Sequence, residues 1–129
     1  MRAVSTAVGK IEHENLGEFN KYYSTSLDNL EHATRWLLEN YQSDANAPGS
    51  IAVNFMMLMG TVCGGWQMAR AVLIAHEKLE GKADDKDFYQ AKIITARFYA
   101  EHFLPRAAAY LGSVVAGSDS IMALSNEQF

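Results

Sequence analysis

The sequence predicts an all-α protein, an antiparallel up-and-down helical bundle of three long helices and a shorter N-terminal one. Three observations carry that prediction. Apolar residues recur at steps of three and four along most of the chain. No stretch alternates apolar and polar for long enough to make a half-buried strand. Only two prolines, Pro48 and Pro105, interrupt the 129 residues. The breaks between periodic segments are short, and short connections make successive helices run up and down.

The first and shorter helix is expected over residues 2–14, through Val4, Val8 and Ile11, ending before a soft break at Asn15-Leu16-Gly17. Residues 18–42 follow, with the stripe Phe19, Tyr23, Ser26, Leu30, Ala33, Leu37, widened by Leu27, Leu38 and Tyr41. Glu18, Lys21, Asp28, Arg35 and Glu39 mark the wet face. Asp28 before His32 and Glu31 before Arg35 have the spacing of supporting i, i+4 pairs.

A loop from Gln42 leads to a helix over 50–80, with Pro48 and Ser50 at its start and Gly81 as its stop. Its stripe is Ile51, Phe55, Leu58, Val62, Gly65, Ala69, Val72, His76, Leu79. Met56, Met57, Met59, Trp66 and Leu73 fill much of the remaining circumference, so the helix reads as central and buried on several sides. Residues 45–69 hold no charged side chain, a length that could span a bilayer. Pro48, Asn54, Gln67 and several glycines lie within it and no basic cluster precedes it, so a core helix, with no membrane span, is expected.

The last long helix covers 85–116. Asp84 or Asp85 caps it and Asp87 suits its positive end. Its stripe is Tyr89, Ile93, Ala96, Ala100, Phe103, Ala107, Tyr110, Val114, and Pro105 should bend it by removing one amide. Residues 118–129 are expected to add one turn and a frayed end. The whole chain, 1–129, reads as one helical-bundle domain.

Composition excludes several functions. Apolar residues make up 49% and charged residues 20%, enough for a core and too few charges for a disordered chain. The net charge of −4 argues against a nucleic-acid partner. A single cysteine, Cys63, rules out an intrachain disulfide and a cysteine-rich zinc site. That usage suits a reducing, cytoplasmic location. Met1-Arg2 leads into no continuous apolar run, because Ser5, Thr6, Gly9 and Lys10 interrupt it, so no signal peptide is expected.

Four histidines each adjoin a glutamate: His13, His32, His76 and His102. A di-metal bundle needs a glutamate three residues before a histidine. Those positions hold Lys10, Asn29, Leu73 and Tyr99. A zinc protease needs a second histidine at i+4, where Gly17 and Glu80 stand. No metal site and no catalytic residue is expected. Gly60-Thr61-Val62-Cys63-Gly64-Gly65 lacks the Lys-Ser/Thr of a phosphate loop, and its glycines suit close approach of a neighbouring helix.

Two apolar sets remain as candidates. Met56, Met59, Trp66 and Met68 could line an apolar ligand pocket, or simply pack in the core. Tyr110, Leu111, Val114, Val115, Ile121, Met122 and Leu124 fall in a segment, 106–129, with only three formal charges. That segment reads either as an interface or as a thick local core with an apolar tail.

Several of these residues also carry a family resemblance. Thr34-Arg35-Trp36-Leu37, Gly64-Gly65-Trp66-Gln67-Met68-Ala69-Arg70, Phe88-Tyr89-Gln90-Ala91-Lys92, Thr95-Ala96-Arg97-Phe98-Tyr99, Leu104-Pro105 and the ending Met122 to Phe129 occur in an order that resembles the helical domain at the C-terminus of one branch of acyl-CoA dehydrogenases. The resemblance covers roughly 3–129 and implies a parent flavoenzyme in which FAD takes a hydride from an acyl-CoA while a glutamate removes a proton. The chain has no room for the flavin-binding body, and no residue here matches the catalytic glutamate. The resemblance therefore implies no cofactor in this chain. It implies a non-catalytic module, inactive alone, whose partner is the dehydrogenase catalytic domain or a second copy in a homo-oligomer. A free-standing binding module for an apolar or acyl ligand is the alternative.

Overall fold

The computed structural model describes residues 1–81 and 84–128. Five α-helices run in chain order: α1 Arg2–Val8, α2 Phe19–Asn40, α3 Ala47–Glu80, α4 Lys86–His102 and α5 Arg106–Val115. A short 3₁₀ turn at Asn126–Gln128 follows, and no strand occurs among the described residues. Part of the expected break at 81–85, Lys82 and Ala83, lies outside those residues, as does Phe129 at the chain end.

The longer helices form where the stripes place them, whereas α1 ends at Val8, short of the expected residue 14 and of Ile11, with Gly9, a poor helix former, at its C-cap. α3 begins three residues earlier than its expected start. Asp44 accepts the amide of Asn46 at 3.0 Å, and Pro48 sits in the first turn, where its missing amide costs nothing. Gly81 ends it, its amide reaching Glu77 O at 3.2 Å. The Asp85 carboxylate accepts from the Phe88 amide at 3.1 Å, as the capping reading requires.

The expected long helix over 85–116 is two helices. Pro105 does more than bend it. The Tyr99 carbonyl accepts two amides, from Phe103 at 2.9 Å and Leu104 at 3.2 Å, and Arg106 then restarts the helix with a bond to Phe103 O at 3.0 Å. The i→i−4 ladder cannot be kept across a residue with no amide. Leu104 turns inward at this break and is buried.

α3 is the centre of the bundle and packs against α1, α2, α4 and α5. One contiguous core joins Phe19, Tyr23 and Leu27 of α2, Ile51, Leu58, Val62 and Val72 of α3, Ile93 and Ala96 of α4, Leu104, and Val114 of α5. Contacts of Tyr23 with Gly65, and of Met59 with the groove beside Leu30 and Leu38, are those of antiparallel neighbours. Gly64 and Gly65 are where neighbours come closest. A Cβ on Gly65 would stand 2.8 Å from a Leu104 methyl and 3.2 Å from the Tyr23 ring, and one on Gly64 would meet the Tyr99 phenol. Tyr99 Oη donates to Thr61 O at 3.0 Å through that gap.

Two expectations change. The Asp28–His32 and Glu31–Arg35 pairs do not form among the described residues. Arg2 reaches across from α1 instead, to Asp28 at 2.6 Å and Glu31 at 2.8 Å. A guanidinium fork spans two carboxylates one turn apart better than either single pair does. Nor is α3 buried all round. Its stripe through Ile51, Leu58, Val62 and Ala69 is in the core, while Val53, Met56 and Met57 on the opposite side are exposed. Four helices cannot cover the full circumference of a helix of 34 residues.

Candidate functional site

The four residues of the expected apolar pocket do not share a face. α3 turns about 100° per residue, so Met68, nine positions beyond Met59, lies on the opposite side of the helix. Met68 packs against the core, while Met56 and Met59 are exposed. Trp66 is half-buried beneath the Arg70 guanidinium, 5.3 Å from the ring centre, and its Nε1 is buried with no hydrogen-bond partner. Of the four, only Met59 lines the groove against α2.

That groove lies between α2 and α3, has a volume of about 460 Å³, and is lined by Leu30, Glu31, Thr34, Arg35, Leu38 and Met59. Its floor is apolar and its polar groups sit at the rim. Arg2 holds Glu31, keeping that carboxyl below its ordinary range through the hydrogen bond. Arg35 is in no ion pair among the described residues. Leu38 and Tyr41 extend the apolar surface along α2, and Val53, Met56 and Met57 extend it across α3. Sequence reading missed this face. Its signal was present, because Val53, Met56, Met57 and Gly60 repeat at i, i+3, i+4 and i+7, a second stripe opposite the first.

The C-terminal set is divided by the fold. Val114 is in the core, and Tyr110 and Leu111 pack against it; Val115 is half-buried. Ile121, Met122 and Leu124 are exposed beyond the helix end. Gly117, at φ +70°, turns the chain against Trp36, and the buried Ser118 hydroxyl then donates to the Asp44 carboxylate. That bond and the amides of Asn46 and Ala47 hold the Asp44 carboxyl below its usual range.

Groups with chemical potential stand apart from one another. His13 Nδ1 accepts from the Asn15 amide at 3.1 Å, His76 lies 3.6 Å from Glu80, and His102 packs on Phe98. Among the described residues no three His, Cys, Asp or Glu side chains converge as a metal site would need. Arg97 pairs with Glu101 at 2.7 Å, and Lys92 sits over Phe88. Burial pushes the Tyr23 phenol up to about 12, and its hydroxyl has no partner. α3 has the length and apolarity to cross a membrane, and it is also the helix that every other helix packs against.

The arrangement is a filled core with apolar surface outside it, and comparisons with known proteins identify its family. Residues 2–125 match the family described as Acetyl-CoA dehydrogenase C-terminal like. The chain is 30% identical over 112 residues to the 3-methylmercaptopropionyl-CoA dehydrogenase of Ruegeria pomeroyi, covering 87% of this chain and 18% of that protein. It is 30% identical over 80 residues to the broad-specificity linear acyl-CoA dehydrogenase FadE5 of Mycobacterium tuberculosis, covering 60% of this chain and 13% of that one. It thus spans less than a fifth of the length of these curated relatives. With the match running over nearly all its residues, the chain belongs to the family of helical C-terminal domains of acyl-CoA dehydrogenases.

Proposed function

We propose that the chain is a non-catalytic module of an acyl-CoA dehydrogenase, supporting assembly of the enzyme or the acyl-CoA site of its flavin-bearing body. The observation that carries this reading is the family match over 2–125, with an alignment that covers only 18% of one relative. The groove beside Met59 is an open apolar trough with the Arg35 guanidinium, in no ion pair among the described residues, at its rim. FAD, which the family implies for the whole enzyme, does not fit these residues. The trough offers no glycine-rich turn to cradle a diphosphate. Its floor of Leu30, Leu38 and Met59 leaves the ring system's polar edge without partners.

The test is an assay of the purified chain with acyl-CoA and an electron acceptor, together with its visible spectrum. A colourless protein with no turnover is expected. Stoichiometric flavin, or turnover by the chain alone, would overturn the reading. The groove of about 460 Å³ also favours a second reading, a free-standing module for an apolar or acyl ligand. An acyl ligand seen by native mass spectrometry on the chain, purified without any dehydrogenase, would support that one.

A further inference from the structure

We propose that the α2–α3 face, rather than the C-terminal segment, is where the dehydrogenase body docks, and that it receives an amphipathic helix with a carboxylate at its margin. This rests on the function proposed above. Val53, Met56 and Leu38 are 66%, 62% and 65% exposed, far beyond what scattered surface residues need. Val53, Met56, Met57 and Gly60 form a stripe at the spacing by which a helix normally buries itself, yet none of the described residues covers it. A Cβ at Gly60 would meet no atom within 4 Å, so a partner backbone can come close there. Met59 joins the stripe to the groove, and methionine side chains adapt to an incoming ridge.

Charge favours a particular partner. Residues 45–69 are uncharged, and Arg35, at the groove's rim, is in no ion pair among the described residues. An apolar helix ridge bearing one aspartate or glutamate beside Arg35 satisfies both features. A second copy of this chain would bring the same Arg35 cation to that margin, and a concentration series tests for it. The occupant is supplied by the rest of the enzyme. The matched segment is 18% of one relative and 13% of the other, so more than four-fifths of each lies outside it and offers the length from which such a helix can come.

Methionine oxidation by peroxide, read by peptide mass spectrometry, tests the assignment, because exposed thioethers oxidise and buried ones are protected. The native assembly containing this chain, purified from its source, is compared with the chain expressed alone. Met56 and Met57 should oxidise about tenfold more slowly in an assembly that contains the flavin-bearing body, and Met122 at an unchanged rate. Protection of Met122 without Met56 and Met57 would overturn the face and leave the proposed function standing. An assembly without a dehydrogenase body would overturn the function itself. Two further outcomes also refute the docking partner. One is protection of Met56 in the lone chain that grows with protein concentration, which would indicate a second copy. The other is protection by mixed phosphatidylcholine–phosphatidylglycerol vesicles, which would indicate a lipid surface. Met56→Glu, at an exposed position, should leave the isolated chain's melting curve unchanged and return Met57 in the assembly to its free rate. Continued protection of Met57 in that variant would count against the docking helix.

Discussion

Gly65 is the position where the packing makes its most quantitative demand. Replacing it with alanine has two opposed effects. The intrinsic helix preference improves by about 1 kcal/mol. The new methyl arrives 2.8 Å from a Leu104 methyl and 3.2 Å from the Tyr23 ring, both buried, so neither neighbour can swing into solvent. Overpacking of a filled core costs about 1–3 kcal/mol, and the larger part of that range applies when two walls are met together. Gly65→Ala should therefore destabilise by about 1–2 kcal/mol net, lowering Tm by about 4 °C per kcal/mol. Gly60 is the control, since it lies on the same helix and its Cβ would touch nothing within 4 Å. Gly60→Ala should stabilise by about 0.5–1 kcal/mol. Urea denaturation followed by circular dichroism, with a check that the slope m is unchanged, gives both values. Leu104→Ala, costing about 2–4 kcal/mol alone, should relieve the clash, so Gly65→Ala becomes at least about 1 kcal/mol less harmful in that background. The reasoning fails if both glycine variants shift stability in the same direction, or if the two sites prove additive.

Two further outcomes follow from the buried phenol and the acidic clasp. Tyr23→Phe removes a buried hydroxyl that has no partner and should gain about 0.5–1 kcal/mol in urea denaturation at neutral pH. Burial raises this phenol from 10.0 to about 12, so its contribution is complete below pH 10.0 and disappears as the pH climbs through about 12. The phenylalanine variant should lose less stability than the parent over that alkaline window. Asp44, lowered chiefly by the Ser118 hydroxyl, behaves in the opposite sense. Its contribution is complete above the ordinary carboxylate value of 3.8 and fades as the pH falls through its lower folded value. Trp36, packed on Gly117 beside this contact, supplies the fluorescence signal, and Ser118→Ala should move the acid transition to higher pH.

Much of the fold was legible because helix-forming signals are local. The stripe from Phe19 to Leu37 and the stripe from Ile51 to Leu79 each imply one rod, and Gly81 and Asp85 mark ends through backbone chemistry that a few residues determine. The break at Phe103–Pro105 was harder to read. Ala107, Tyr110 and Val114 keep the apolar phase across it, so periodicity alone cannot separate a bent helix from two. Arg2 was unreadable as a partner of Asp28 and Glu31, because no local rule joins residues in different helices. The candidate face was obscured for a related reason. A sequence shows that Met56 and Val114 are both apolar, but not that α2 and α3 enclose Val114 while the four neighbours of α3 leave Met56 outside. Residues assigned to an apolar pocket by chemistry alone were likewise distributed around α3 by its pitch, with Met68 opposite Met59.

The Ser118–Asp44 contact joins residues 74 positions apart and closes α3, α4 and α5 into a non-covalent ring. The chain entropy of closing such a ring rises only with the logarithm of its length, but it must be met before the contact returns anything. Such a contact is expected to form late, once α4 and α5 already lie on α3, and an unchanged refolding rate in Ser118→Ala would check this. A bond absent from the folding transition state governs how fast the structure opens, not how fast it assembles. Loosening it would leave the refolding arm of a chevron plot in place and steepen the loss of kinetic persistence, making this small turn the bundle's timekeeper against unravelling from its C-terminal end.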